Sequence, residues 1–318
     1  MFSSIKYRAE IDGLRAIAVI SVIIYHLNEN WLPGGFLGVD IFFVISGFLI
    51  TGIIINEMKE NRFSFKDFYT RRIKRIYPAF ITVMAIVSFF ASALFIYNDF
   101  NQLRKTIELA AVFSSNFYLG FKQGYFDLNA TENPVLHIWS LAVEEQYYLI
   151  FPLFLLFAYK KSRNLKSIFK LTTILFIVFL LTSFIPNSFY KDVLHQPNTY
   201  YLSNLRFPEL LIGSLLAIYS INKSIRQSIS QKTVAALSFI LLLTCLYFYH
   251  KNLIFIPGLS LVLPCLLAAL VIYTTTQESI VKKLLSTRPM VFIGKISYSL
   301  YLYHWIFISF AYYITGIK

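Results

Sequence analysis

The chain has 318 residues, of which 57% are hydrophobic, 18% aromatic and only 14% charged. An ordinary soluble domain is about 45–50% apolar and about 25% charged, so a cytosolic globule and a disordered or collagenous chain are excluded, and a polytopic membrane protein is left. The formal charge of +13 would suggest nucleic acid to a soluble protein, but in a membrane protein the position of each basic residue along the chain has to be read first. The two cysteines, Cys245 and Cys265, lie in apolar runs without a ligand pattern, so neither a disulfide framework nor a metal site is expected.

A helix needs about 20 mainly apolar residues to cross a hydrocarbon core of roughly 30 Å. Such runs occur near residues 11–27, 38–56, 76–97, 138–158, 169–185, 204–221, 234–249, 253–273 and 290–310. They predict an all-α helix bundle. The first run contains Arg15 and His26 and lacks a small-residue cleavage site, so it reads as a retained helix rather than a signal peptide. A weaker stretch, 107–121, holds Glu108, Ser114, Ser115 and Asn116 inside the otherwise polar segment 98–137.

Loop charge orients these spans. The 57–75 loop carries Lys59, Arg62, Lys66, Arg71, Arg72, Lys74 and Arg75, and the 159–170 loop carries Lys160, Lys161, Arg163, Lys166 and Lys170. Both are expected on the cytoplasmic side, so an even number of crossings separates them and 107–121 dips in or packs sideways. Alternation then brings the 222–233 loop (Lys223, Arg226, Lys232) and the 274–289 loop (Lys282, Lys283, Arg288) to the same side. Eighteen of the 29 basic residues fall in these four loops, so the charge records orientation rather than a nucleic-acid partner. The scheme has the N-terminus inside and the C-terminus outside after nine spans. No internal repeat and no separate soluble domain is visible, which places function in the membrane or at its faces.

Ionisable side chains within spans are costly and mark function or helix pairing. Arg15 and His26 are eleven apart, which sets them within about 20° on one helix face and roughly 16 Å apart along it. The stripe fits either a snorkelling arginine with a packed histidine, or a histidine used as a general base. Asp40, near the start of the second span, either caps its helix or faces His26 across the short hairpin. Arg72 and Arg75, three apart, share a face and suit a phosphate, although such clusters also set topology or touch anionic lipid. His137, Ser140 and Glu144 fall on one face of the fourth span, with Glu145 beside them. Two adjacent glutamates inside a span should face a cavity, a partner helix or a substrate; in this topology they lie toward the outer end, where a sugar hydroxyl could arrive. In the last span the aromatics around Tyr301 fit an interfacial belt, and His304 is expected to make a structural hydrogen bond.

Together, Asp12-Gly13-Leu14-Arg15 with His26, Gly38-Val39-Asp40 through Ser46-Gly47-Phe48, Arg72-x-x-Arg75-Ile76-x-Pro78, His137-x-Trp139-Ser140-Leu141-x-x-Glu144-x-Gln146 and Ser297-Tyr298-Ser299-Leu300-Tyr301-Leu302-x-His304-Trp305 closely resemble the acyltransferase-3 family. The nearest likeness is to the bacterial O-antigen and peptidoglycan O-acetylase branch. The resemblance runs from residue 12 to 305 and implies a bacterial inner-membrane enzyme that takes an acetyl group from cytoplasmic acetyl-CoA, without a metal, to a carbohydrate hydroxyl, free or lipid-linked. It implies functional roles for Arg15 and His26, donor binding by Arg72 and Arg75, and an acid in Glu144. Asp40 is the expected orienting partner of His26; His137, Ser140 and Glu145 are the expected acceptor contacts. Family members usually carry a tenth core helix after the His-Trp motif, and this branch often continues into a periplasmic hydrolase-like domain. The expectation is therefore one truncated membrane domain over 1–318, of nine to ten helices, with membrane lipids around it and a separate periplasmic partner for transfer. A transporter or flippase for acylated sugars or lipid-linked glycans, or a non-catalytic membrane partner, uses the same residues differently. Cysteine labelling tests the orientation: Arg163→Cys should react from the cytoplasmic side, and labelling from outside overturns the placement of 107–121.

Overall fold

Apolar side chains are at home in hydrocarbon, but the backbone between them must bond to itself there, and a helix does so within one segment. The computed structural model describes residues 7–121, 130–185, 189, 199–221, 229–250 and 258–316, and its regular elements are all helical. They are α1 (Ala9–Leu27), α2 (Gly38–Lys59), α3 (Phe65–Leu94), α4 (Tyr97–Ala111), α5 (Ser115–Phe121) and α6 (Ile138–Ser162). Then follow α7 (Leu165–Thr182), α8 (Ser203–Ser220), α9 (Ile229–Phe248), α10 (Leu259–Thr274), α11 (Ile280–Leu285) and α12 (Arg288–Thr315).

Each of the nine expected spans falls on a helix: α1, α2, α3, α6, α7, α8, α9, α10 and α12. Residues 253–257 of the eighth span, Lys223 and Arg226 of one basic loop, and Lys318 lie outside the described residues. Among the described residues, α2 with its preceding turn, α3, α6, α7 and α9 are long and apolar enough to cross a membrane by length and composition alone. The other four depart for visible reasons. Helix α1 holds Glu10, Asp12 and Arg15, α8 holds Arg206 and Glu209, α12 interleaves tyrosines, serines and His304 with its apolar residues, and α10 has only 16 residues.

The 57–75 stretch is mostly helix rather than loop. Ser64 caps α3 by accepting from the Asp67 N–H at 3.3 Å, so Arg72 and Arg75 stand on the first turns of a 30-residue helix about 45 Å long.

Two compact units make up the chain: one of Met1–Arg62, Tyr147–Phe184 and Asn204–Ser297, the other of Phe63–Gln146, Ile185–Ser203 and Tyr298–Lys318. In the first, α1, α2, α9 and α10 share a core that includes Leu14, Ile41, Ile45, Leu242, Cys265 and Val271. Helices α2 and α8 approach so closely that a Cβ on Gly47 would lie 1.9 Å from the Leu210 carbonyl oxygen, and one on Gly213 would lie 2.0 Å from that of Val44. Only glycine permits that distance. Beside this contact the Thr51 hydroxyl donates to Ser214 Oγ at 2.7 Å, and the Tyr147 hydroxyl lies 2.7 Å from the same atom. Pro264 has no N–H for the carbonyl of Ser260 one turn back, and the Tyr249 hydroxyl donates to that carbonyl instead.

In the second unit, α3, α4 and α12 pack through Phe80, Val83, Val87, Leu103, Leu302 and Phe310. The weak stretch is two short helices, α4 and α5, broken at residues 112–114, where Phe113 takes φ 52°. Both ends of this segment meet the second half of α12. The Ile96 N–H donates to Tyr313 Oη at 3.1 Å, the Tyr313 hydroxyl donates to Asp99 at 2.9 Å, and the Trp305 indole donates to the Asn133 carbonyl at 2.8 Å. Tyr313 and Trp305 are eight residues apart, about 12 Å along the helix. The segment thus leaves and rejoins the bundle at one end.

Gly47→Val and Gly213→Val should each force α2 and α8 apart. The expected result is a destabilisation of about 1–3 kcal/mol or more, read as a lower melting temperature of the detergent-solubilised protein; wild-type melting would show that the approach is not constrained.

Candidate functional site

In the first unit, α1 carries Arg15 and His26 on one face, both half-buried. Arg15 lies 3.6 Å from Asp12, one helical turn back. Asp12 also accepts from the Tyr7 hydroxyl at 2.6 Å, and that bond, with some burial, pushes the Tyr7 phenol up to about 12. The Lys295 ammonium stands 5.5 Å over the Tyr7 ring. The neighbouring Arg8 donates to Glu10 at 2.7 Å and to the Ile272 carbonyl at 2.6 Å. This end of α1 is held by charge, and Arg15 belongs to it. His26, in the last turn, packs its ring 5.6 Å from that of Tyr25.

Asp40 is the third residue of α2, where the helix dipole favours an acid. Its ion-pair partner, however, is Arg206 of α8. Arg206 Nη1 donates to Asp40 Oδ1 at 2.9 Å and to Glu209 Oε1 at 3.2 Å. Arg206, Asp40 and Glu209 are 0%, 1% and 2% exposed, and the second oxygens, Asp40 Oδ2 and Glu209 Oε2, have no hydrogen-bond partner. The expectation that Asp40 orients His26 gives way here to a clamp between α2 and α8. Sequence reasoning passed over Arg206 and Glu209, although two opposite charges three apart inside a predicted span were the available signal.

In the second unit, Arg72 is braced over the Phe68 ring at 5.4 Å and half-buried, while Arg75 one turn on is exposed. Glu144 and Glu145 of α6 are half-buried, and Glu145 Oε1 has no hydrogen-bond partner. Arg72 lies within electrostatic range of Glu145, and Arg75, Glu144 and Glu145 all lie within range of the Tyr298 hydroxyl. That hydroxyl donates to the Ile76 carbonyl at 3.1 Å. The sequence scheme set the arginines and glutamates toward opposite faces. The structure brings Arg72 within range of Glu145, α3 having begun at Phe65, before the arginines.

His137 and Ser140 are buried at the start of α6. The His137 ring packs 5.5 Å from Tyr301 and 5.8 Å from His304. Ser140 Oγ lies 2.7 Å from Tyr301 Oη, and both hydroxyls reach the His137 carbonyl, at 3.1 and 3.0 Å. Tyr301, expected in an interfacial belt, is therefore part of a polar cluster. His304 Nδ1 makes the expected structural bonds, to the carbonyls of Tyr301 at 2.7 Å and Leu300 at 3.2 Å.

Trp139 and Gln146 of the same motif do support work. The Trp139 ring lies against those of Tyr200 and Tyr201 at 5.3 and 5.5 Å. Gln146 donates to the Phe113 carbonyl at 2.6 Å and to Asn116 at 2.9 Å, and accepts from Ser203. A site assembled on α3, α6 and α12 thus offers guanidinium groups for an anion, carboxylates for a hydroxyl, and imidazole and hydroxyl groups for proton transfer. Among the described residues no group of three His, Cys, Asp or Glu could hold a metal ion.

A family model described as "Acyltransferase domain" matches residues 8–318. An uncharacterised protein of Haemophilus influenzae is 68% identical over 244 residues, 76% of this chain and 99% of its own length. O-acetyltransferase OatA of Staphylococcus aureus is 35% identical over 98% of this chain and 52% of its own length. A putative O-acetyltransferase of another strain of that species is 34% identical over 99% of this chain and 53% of its own length. The chain spans about half the length of these O-acetyltransferases. No solved structure matches.

The Arg206 clamp has one cation against two carboxylates, so its members should respond unequally to neutralisation. Arg206→Gln leaves two buried acids without a counter-ion and is expected to cost about 3–5 kcal/mol. Glu209→Gln leaves one charge of each sign and should change the melting temperature far less. Equal losses would contradict this account of the clamp.

Proposed function

Because the chain belongs to the acyltransferase family whose model spans residues 8–318, we propose that it is a multi-pass O-acyltransferase of the bacterial inner membrane that moves an acetyl group from acetyl-CoA to a hydroxyl of a cell-surface carbohydrate. The observation that supports this reading is that, in one unit, Arg72 lies within electrostatic range of Glu145, while Arg75, Glu144 and Glu145 are grouped about Tyr298. Guanidinium groups suit the phosphates of a nucleotide-bearing donor, and carboxylates suit sugar hydroxyls. The names of the S. aureus relatives support acetyl as the group transferred.

Each residue takes a role from its own surroundings. Arg72, stiffened by the Phe68 ring, and the exposed Arg75 bind donor phosphates from the cytoplasmic side. His26 is the base or transient acetyl carrier, and Arg15 on the same face of α1 offsets negative charge. Glu144 and Glu145 bind the acceptor, with His137 and Ser140 at the start of α6. Asp40 acts through Arg206, fixing the helix that follows the turn after His26. In the reaction the acceptor oxygen bonds to the acyl carbon, its proton goes to a base, and the carbon–sulfur bond breaks to leave a thiolate that takes up a proton. The acceptor is a glycan, lipid-linked or free, and a separate periplasmic protein receives or presents it.

Transfer from radiolabelled acetyl-CoA to the glycan of membrane vesicles tests this. At equal abundance, His26→Ala should lower transfer by about 100-fold or more. Arg72→Ala and Arg75→Ala should mainly raise the KM for acetyl-CoA. Wild-type transfer by His26→Ala, or donor-independent flux of glycan through the vesicles, overturns the proposal.

A further inference from the structure

The charges of the buried clamp between α2 and α8 do not balance. Arg206, Asp40 and Glu209 are shut off from solvent, and Arg206 Nη1 lies 2.9 Å from Asp40 Oδ1 and 3.2 Å from Glu209 Oε1. Among the described residues, Arg206 is the only cation that either acid meets. With both acids ionised the cluster would hold a net negative charge among apolar residues. A carboxyl group so placed, with no counter-ion of its own, takes the neutral form because the buried charge costs too much.

Two further observations say where the hydrogen goes. One oxygen of each acid, Asp40 Oδ2 and Glu209 Oε2, is buried without a hydrogen-bond partner. The two carboxyl groups also come within hydrogen-bonding reach of one another. Between two carboxylates that approach is repulsive, whereas with one hydrogen present the protonated acid donates to the ionised one. The surrounding helices supply no other charge. At the start of α2, Gly38 faces Ala18, Ser21 and Val22 of α1. Helices α6 and α7 meet α8 through Tyr147 on Ser214 and Phe179 on Phe207. Cys265 of α10 lies within electrostatic range of all three charged residues, and the Tyr249 phenol after α9 within range of Asp40. A thiol and a phenol are ordinarily uncharged at neutral pH.

We propose that Asp40 and Glu209 form a proton-binding site inside the first unit, one hydrogen being shared between the two carboxyl groups while Arg206 balances the negative charge that is left. The site belongs to the packing of α2 on α8 and stands apart from the acyl-transfer reading. In an unfolded chain both acids are ionised at neutral pH. The chain therefore takes up one proton as these helices close on each other and releases it when they part. The folded state then holds more protons than the unfolded one, so this site's contribution to stability falls as pH rises above about 5 until the shared proton leaves.

The test uses the full chain in mild detergent, unfolded with sodium dodecyl sulfate, and compares wild type with Glu209→Gln and Asp40→Asn. Each variant keeps one acid against Arg206 and replaces the other by a neutral group of the same shape. Near pH 7 the wild type should release one more proton per chain on unfolding than either variant, and its unfolding constant should rise about tenfold more per pH unit. In infrared spectra of the folded protein, the carbonyl stretch of one protonated carboxyl group should be present in wild type and missing from both variants, a readout that needs no unfolding. Equal proton release with equal pH slopes overturns the proposal, and so does an infrared band that neither substitution changes. Failure of both variants to fold overturns it as well, because each mimics the neutral acid. If sodium in place of choline raises the melting temperature of wild type but not of Glu209→Gln, the site holds a metal cation and the proton assignment fails.

Discussion

A guanidinium that water cannot reach has to be neutralised where it lies. Taking such an ion and its partners out of water costs several kcal/mol each unless the geometry returns most of it. In the first unit this requirement falls on Arg206, and the acids that meet it come from its own helix, as Glu209, and from α2, as Asp40. The register between α2 and α8 follows. With Asp40 fixed against Arg206, Gly47 falls opposite Leu210, Gly213 opposite Val44, and Ser214 within reach of Thr51 and Tyr147. A slip of one residue would break the ion contacts, the backbone approach and the hydroxyl bonds together.

The second unit solves a different problem: several polar side chains of one helix have to be placed toward different neighbours. Helix α6 does this by splitting the duties of one motif among its faces. Trp139 and Gln146 hold the turn at Thr199–Tyr201 and the break before α5, while His137, Ser140 and the two glutamates are left to face α12 and α3. The aromatic stack of Phe95 on Tyr313, with ring centroids 3.9 Å apart, steadies the far end of α12. The supporting residues thus keep the geometry in which their neighbours on α6 are held.

The helices were legible in the chain because each is a long apolar run, and the stretch at 107–121 stood apart because polar residues interrupt it; the structure makes it two short helices broken at residues 112–114. Partnerships between distant helices were not. Asp40 could be seen as an acid at a helix start, but nothing local says that its counter-ion lies on α8, since helix spacing constrains neighbours three or four apart and no others. The same limit hid the meeting of Arg72 with Glu145. There the error came from ending the third span at its apolar edge, whereas the capped helix continues through the basic residues. Tyr301 shows the converse: an aromatic near a helix end reads as an interfacial anchor until a serine on another helix claims its hydroxyl.

Asp40 and Arg206 are 166 residues apart in the chain. At a synthesis rate of about 5–20 residues per second, α2 exists for on the order of ten to thirty seconds before α8 has been made. During that interval the acid has no counter-ion. The first hairpin must therefore stay loosely settled, and its final packing is a late event, completed only when the ribosome has passed the eighth helix. A chain interrupted before that point would carry an acid among apolar residues with no guanidinium to neutralise it.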